Sequence, residues 1–209
     1  MNARLLKLAQ TFVASTLIVA ALSWVDHTAL AQAGYERIRG AITAVAADAI
    51  TVRTRAGQEL RIKLGKRTPV NAITRAEITD IKPGSYIGTA ATSLPDGSLR
   101  ALEVHVFPPD LAGMGDGHRP WDLDPDSSMT NGMVGDVVGS KDRTLTVKYK
   151  DGQKKVVVPD GAPIVHIQKG DRSLLKPDVP VFITATKAAD GTLSARSISA
   201  GKDGVTPPM

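Results

Sequence analysis

Laid against itself, the chain matches at an offset of 94–95 residues, and this self-similarity limits the possible folds more than any other feature. Ala49-Ile50-Thr51-Val52 falls on Thr144-Leu145-Thr146-Val147, and Gly57-Gln58 on Gly152-Gln153. Lys82-Pro83 falls on Lys176-Pro177, Ala91-Thr92 on Ala185-Thr186, and Asp96-Gly97-Ser98-Leu99 on Asp190-Gly191-Thr192-Leu193. Order and spacing hold throughout. Residues 35–107 and 132–200 therefore read as two copies of one unit, joined by a segment at 108–131 and followed by a loose tail at 201–209.

Each unit reads as strands. Leu60, Ile62 and Leu64 alternate with Glu59, Arg61 and Lys63, and Leu145, Val147 and Tyr149 with Thr146 and Lys148, the period of a strand with one wet and one buried face. Ala56-Gly57, Asp96-Gly97, Asp151-Gly152 and Asp190-Gly191 mark tight turns in which glycine adopts a positive φ cheaply. One short helix is expected near residues 71–78, and a turn at 168–174, where Gly170 interrupts the counterpart. The expected fold is all-β: two tandem small barrels, OB-like or Greek-key, related by internal duplication. A unit this small is marginal alone, so the two copies should pack together, with a working groove between them.

Gly40-x-Ile42-x-x-Val45, then Ile50-Thr51-Val52, then Lys82-Pro83-Gly84-Ser85-Tyr86 ahead of a strand and an Asp-Gly hairpin, resembles small β-barrel domains of unknown function in exported bacterial proteins. The resemblance spans both copies and implies a fold; it brings no reaction, catalytic residue or ligand with it. The second copy departs at Lys176-Pro177-Asp178-Val179-Pro180, which lacks the turn glycine.

The N-terminus has the layout of a secretory signal. Arg4 and Lys7 precede a mostly apolar stretch from Leu8 to Leu22, and Ala29-Leu30-Ala31 offers a cleavage site. The stretch is shorter than the roughly 20 apolar residues of a membrane helix and is diluted by Gln10, Thr11, Ser15 and Thr16. The expectation is removal of residues 1–31, no stable membrane anchor, and a periplasmic or secreted product. The chain has no cysteine, which excludes disulfides, thiol catalysis and a lipidated N-terminal cysteine. Its net charge of +5 is spread along the chain, and aromatic residues make up only 4%. Nucleic-acid binders concentrate their basic residues and interleave stacking platforms. The composition therefore speaks against nucleic acid and toward an envelope protein or polymer as partner.

Segment 107–131, FPPDLAGMGDGHRPWDLDPDSSMTN, is too long for an idle connection in a compact protein. His118, Arg119, Trp121 and Asp122 are its candidate ligand or partner surface. In the structural alternative, Trp121 plugs a barrel end while Arg119 and the aspartates pin the crossing. A second reading is metal: Met114, His118, Trp121, Met129 and Met133 supply thioethers, an imidazole and an indole face, which suit Cu(I) where thiols are lacking. The set is similar to that of periplasmic copper chaperones of copper–silver efflux systems. Here, however, the methionines lie eight and twelve residues past Trp121, and the histidine three before it.

Asp122, Asp124 and Asp126 alternate like calcium ligands, but Ser127 and Met133 stand where an EF-hand loop needs glycine and glutamate. Gly113, Gly115 and Gly117 lack the strand–helix context of a phosphate loop. Ser127, Ser128 and His118 hold the ingredients of a triad without a nucleophile elbow. His105, between Val104 and Val106, is expected on the opposite face, at a surface. The chain thus reads as a non-enzymatic exported binding or interaction module without a cofactor, with Cu(I) binding as the alternative.

Overall fold

The computed structural model describes residues 35–138 and 143–209. The expected signal segment, 1–31, lies outside the described residues. No helix among the described residues is long and apolar enough to cross a membrane.

The described residues form fourteen strands: β1 (Tyr35–Val45), β2 (Ala49–Thr54), β3 (Glu59–Leu64), β4 (Val70–Arg75), β5 (Tyr86–Ser93), β6 (Leu99–Ala101), β7 (Val104–Val106), β8 (Gly117–Pro120), β9 (Ser128–Val138), β10 (Thr144–Tyr149), β11 (Gly152–Val157), β12 (Ile164–Lys169), β13 (Pro180–Lys187) and β14 (Leu193–Gly201). Helix among them is confined to single 3-10 turns at Ile78–Asp80, Pro109–Leu111 and Arg172–Leu174. The chain is all-β and barrel-forming, as its alternation and turn residues imply. The expected helix at 71–78 is instead β4 followed by a 3-10 turn. Two neighbours claim its backbone: β14 pairs with it in parallel and β12 antiparallel, and this tertiary pairing outweighs local propensity.

The strands close into two five-membered rings. One runs β1-β2-β3-β14-β13 and returns to β1; the other runs β9-β10-β11-β6-β5 and returns to β9. Each ring takes three strands from one half of the chain and two from the other. Residues 35–107 and 132–200 therefore do not each close a barrel of their own. Parallel ladders join the halves: Leu99 stands opposite Val156, and Leu193 opposite Ile62. Between the rings β4 and β12 run antiparallel, with Ile73 opposite Ile167. A hairpin makes the same local contacts whichever ring it closes, so repeat matching and turn residues say nothing about ring membership. Within each ring, Gly40 and Gly132 let a neighbouring strand approach closely, since a Cβ at either would strike the carbonyl of Arg53 or Lys148.

Each ring has its own apolar core, one around Ile42, Ile62, Ile183 and Ile198, the other around Ile87, Leu99, Leu145 and Val147. A third cluster fills the seam: Ile73, Val165, Ile167, Phe182 and Met209, with Phe107, Leu111, Trp121 and Val205 packed against it. Residues 201–209 are accordingly packed rather than loose. Gly201 ends β14, the Lys202 N–H donates to the Ile73 carbonyl at 2.9 Å, and Arg39 Nε donates to the Met209 carbonyl at 2.6 Å. Burial of Pro207 and Met209 is the driving term.

Candidate functional site

A cavity of about 130 Å³ lies in this seam cluster, and side chains from both rings line it. β7 pairs along its two edges with β5 and β12; on one face Val104 and Val106 join the second ring's core, and on the other His105 lines the cavity, edge-on to Phe107 at 4.9 Å. His105 is therefore 4% exposed, and the expectation of a surface histidine is corrected. Glu103, two residues earlier and fully buried, accepts the Ala90 N–H at 2.8 Å through Oε1 and meets His105 Nδ1 at 3.1 Å through Oε2. With Nδ1 engaged, Nε2 turns over Gly88, next to Asn131 Oδ1. A Cβ at position 88 would collide with both atoms, so only glycine leaves them room.

Asn131 donates from Nδ2 to the Met114 carbonyl at 3.0 Å, which fixes the orientation of its amide and leaves Oδ1 buried without a partner. Trp121 Nε1 is likewise buried and unpartnered. Among the described residues these are the two buried side-chain polar atoms left unsatisfied, and both belong to residues lining this cavity. Larger hollows of about 410 and 620 Å³ lie beside exposed Arg75 and Arg67, and neither atom belongs to their walls.

Trp121 is held from several sides. Its backbone N–H donates to the Ser127 carbonyl at 2.8 Å, the Arg37 guanidinium lies 3.9 Å from the ring centroid, and the Phe182 ring is 6.5 Å away. Asp122 accepts two hydrogen bonds from Arg39, at 2.8 and 3.2 Å, and lies 3.6 Å from Arg37. Partial burial works to raise its pKa, but the Arg39 hydrogen bonds and the two guanidinium charges outweigh this and hold the carboxyl below the usual range. Asp124 accepts the Ser127 N–H in a turn, and Asp126 sits at φ 58°. Among the described residues no three His, Cys, Asp or Glu side chains gather as a metal cage.

The expected ligand surface is thus split. Arg119 and Trp121 line the cavity, and Asp122 braces it through Arg39. His118 alternates to the other face of β8, where Nδ1 lies 2.8 Å from the Thr130 hydroxyl and the ring stacks on Tyr149. Burial, then the charges of Lys154 and Arg119, lower its pKa. Of the expected metal set, Met114, Trp121 and Met129 line the cavity, whereas His118 and Met133, the latter 43% exposed, do not. Sequence reasoning missed Glu103, His105, Asn131 and Met209. The spacing Glu103-x-His105 on a strand was the one available signal, since it puts both side chains on one face.

Tyr86 closes the outer edge. Burial first, then the neighbouring Asp116 charge, push its phenol up to about 12, so it stays protonated and donates to the Met114 carbonyl at 3.3 Å. The residues that line the hollow carry an indole N–H, an amide oxygen, an imidazole and three thioethers, around room for a few heavy atoms. Comparison of the chain with family models, with curated proteins and with solved structures returns no significant match.

Proposed function

We propose that the protein is a non-enzymatic binding module of the bacterial envelope, exported by its N-terminal signal, with the seam cavity as its ligand site. In this reading the two halves are copies of one unit that have exchanged hairpins, and segment 107–131 closes the cavity rather than merely linking barrels. The observation that carries it is the pair of buried, unpartnered atoms, Trp121 Nε1 and Asn131 Oδ1, both carried by residues that line one hollow. Each costs about 1–3 kcal/mol when left unsatisfied, a cost that a small bound ligand removes. The serine nearest a triad supports a non-catalytic role: Ser127 Oγ accepts the Asp124 N–H at 3.1 Å and donates to the Trp121 carbonyl at 3.3 Å, while His118 engages Thr130 instead.

Native mass spectrometry of protein purified from its own compartment tests this. One bound small molecule or ion per chain is expected, together with its loss in Ser199→Leu, which fills the hollow. Ligand-free wild-type protein would overturn the proposal. Fractionation of the cells tests export in the same preparation.

A further inference from the structure

We infer that the cavity is a site for a soft monovalent cation, Cu(I) or Ag(I), held by His105 Nε2 and by the thioethers of Met129, Met209 and Met114 beneath the Trp121 ring. The inference rests on the cavity being a ligand site and names its ligand class. Three of the chain's five methionines line this one hollow. Methionine in a core normally fills gaps. Here Met129 and Met209, 2% and 4% exposed, border space that remains open.

The imidazole is arranged as a metal-bound one needs to be. A ligating histidine commonly gives its second ring N–H to a carboxylate, which fixes the tautomer and raises the basicity of the ligating nitrogen. Glu103 does this at His105 Nδ1 and is itself pinned by the Ala90 N–H. In the neutral tautomer that gives its Nδ1–H to Glu103, the Nε2 lone pair and the unpartnered Asn131 Oδ1 both crowd the space over Gly88. Two electron-pair donors side by side over a bare glycine suit a cation better than a neutral ligand.

The donor set decides which cation. One imidazole with thioethers favours Cu(I) or Ag(I), whereas calcium and magnesium sites draw on oxygen ligands and zinc sites on thiolates, carboxylates or several imidazoles. Among the described residues the fully buried carboxyl group is that of Glu103; its oxygens are taken by the Ala90 N–H and His105, so it is not free to ligate. Met114, 53% exposed, stands at the lip and gives the ion a first soft contact on entry.

The test is anaerobic titration of the intact protein with Cu(I) against a chromophoric Cu(I) chelator, repeated with Ag(I), with Trp121 fluorescence read in parallel. One ion per chain is expected, with quenching. His105→Gln, Met129→Leu and Met209→Leu should each weaken binding by about tenfold or more. His118→Gln and Met133→Leu lie outside the cavity and should leave affinity unchanged. Circular dichroism checks each fold; if His105→Gln unfolds, the near-isosteric Met129→Leu and Met209→Leu carry the test. No competition by wild-type protein, or equal losses in the two outside variants, overturns the inference. An organic molecule found in the cavity of a protein that takes no metal would sink the cation while leaving the binding module standing.

Discussion

Across the seam, the two rings present the same three ladder positions to each other. In one ring Arg39 stands opposite Phe182 and Phe182 opposite Ser199; in the other Asn131 stands opposite Gly88, and Gly88 opposite His105 of the adjoining β7. The first ring puts its bulk in the middle, a phenyl ring with the Arg39 guanidinium 5.1 Å from its centroid and a small serine beyond. The second leaves the middle bare and places its polar groups on the flanks. The pairing scheme is shared, so the difference is one of side-chain volume. One side supplies packing, and the other leaves room over Gly88 for two polar atoms.

Breaking the packed side should cost most. Phe182→Ala removes the bulk of the seam cluster and should destabilise by about 3–5 kcal/mol, measured by chemical denaturation. Trp121→Ala should follow at about 3 kcal/mol, because its ring is only partly buried. An unchanged melting temperature would make Trp121 an exposed recognition residue instead. On the bare side, Gly88→Ala should cost about 1–3 kcal/mol through overpacking and should displace His105 and Asn131, visible as shifts of their side-chain NMR resonances.

How far the sequence foretold this depends on how local each determinant is. Alternation in β3 and β10 and the Asp-Gly turns are set by neighbours in sequence, and those strands and turns are present, with Gly97 and Gly191 at φ 80° and 82°. Ring membership depends on which distant strand accepts β6 or β14, and no local pattern encodes that. His105 was misjudged because alternation presumes one wet face, while β7 is covered on both. Trp121, Met114 and Met129 stood out as rare residue types in an unusual segment. Met209 gave no signal, since only folding brings it to the seam.

Smaller effects sharpen the comparison at its rim. Asp122 exists to brace the packed side, and its carboxyl is held below its ordinary range. Its contribution is present above the unfolded carboxylate value and is lost as pH falls through the lower folded one. Because the side chain is 45% exposed, Asp122→Asn should cost less than about 1 kcal/mol, with a flatter acid limb in melts. His118 has a lowered pKa, so the folded state favours its neutral form. Stability is full above the ordinary imidazole value and declines as pH falls below it. Melts between about pH 7.5 and pH 5 should show this slope in wild-type protein and a shallower one in His118→Gln.

The interleaving of the two rings also sets an order of events. β1 cannot complete its ring until β13 is available, and the seam is not sealed until Met209 docks against Arg39. Closures spanning almost the whole polypeptide are slow to form. The pocket is thus assembled last, after both rings have closed and Met209 has reached the seam.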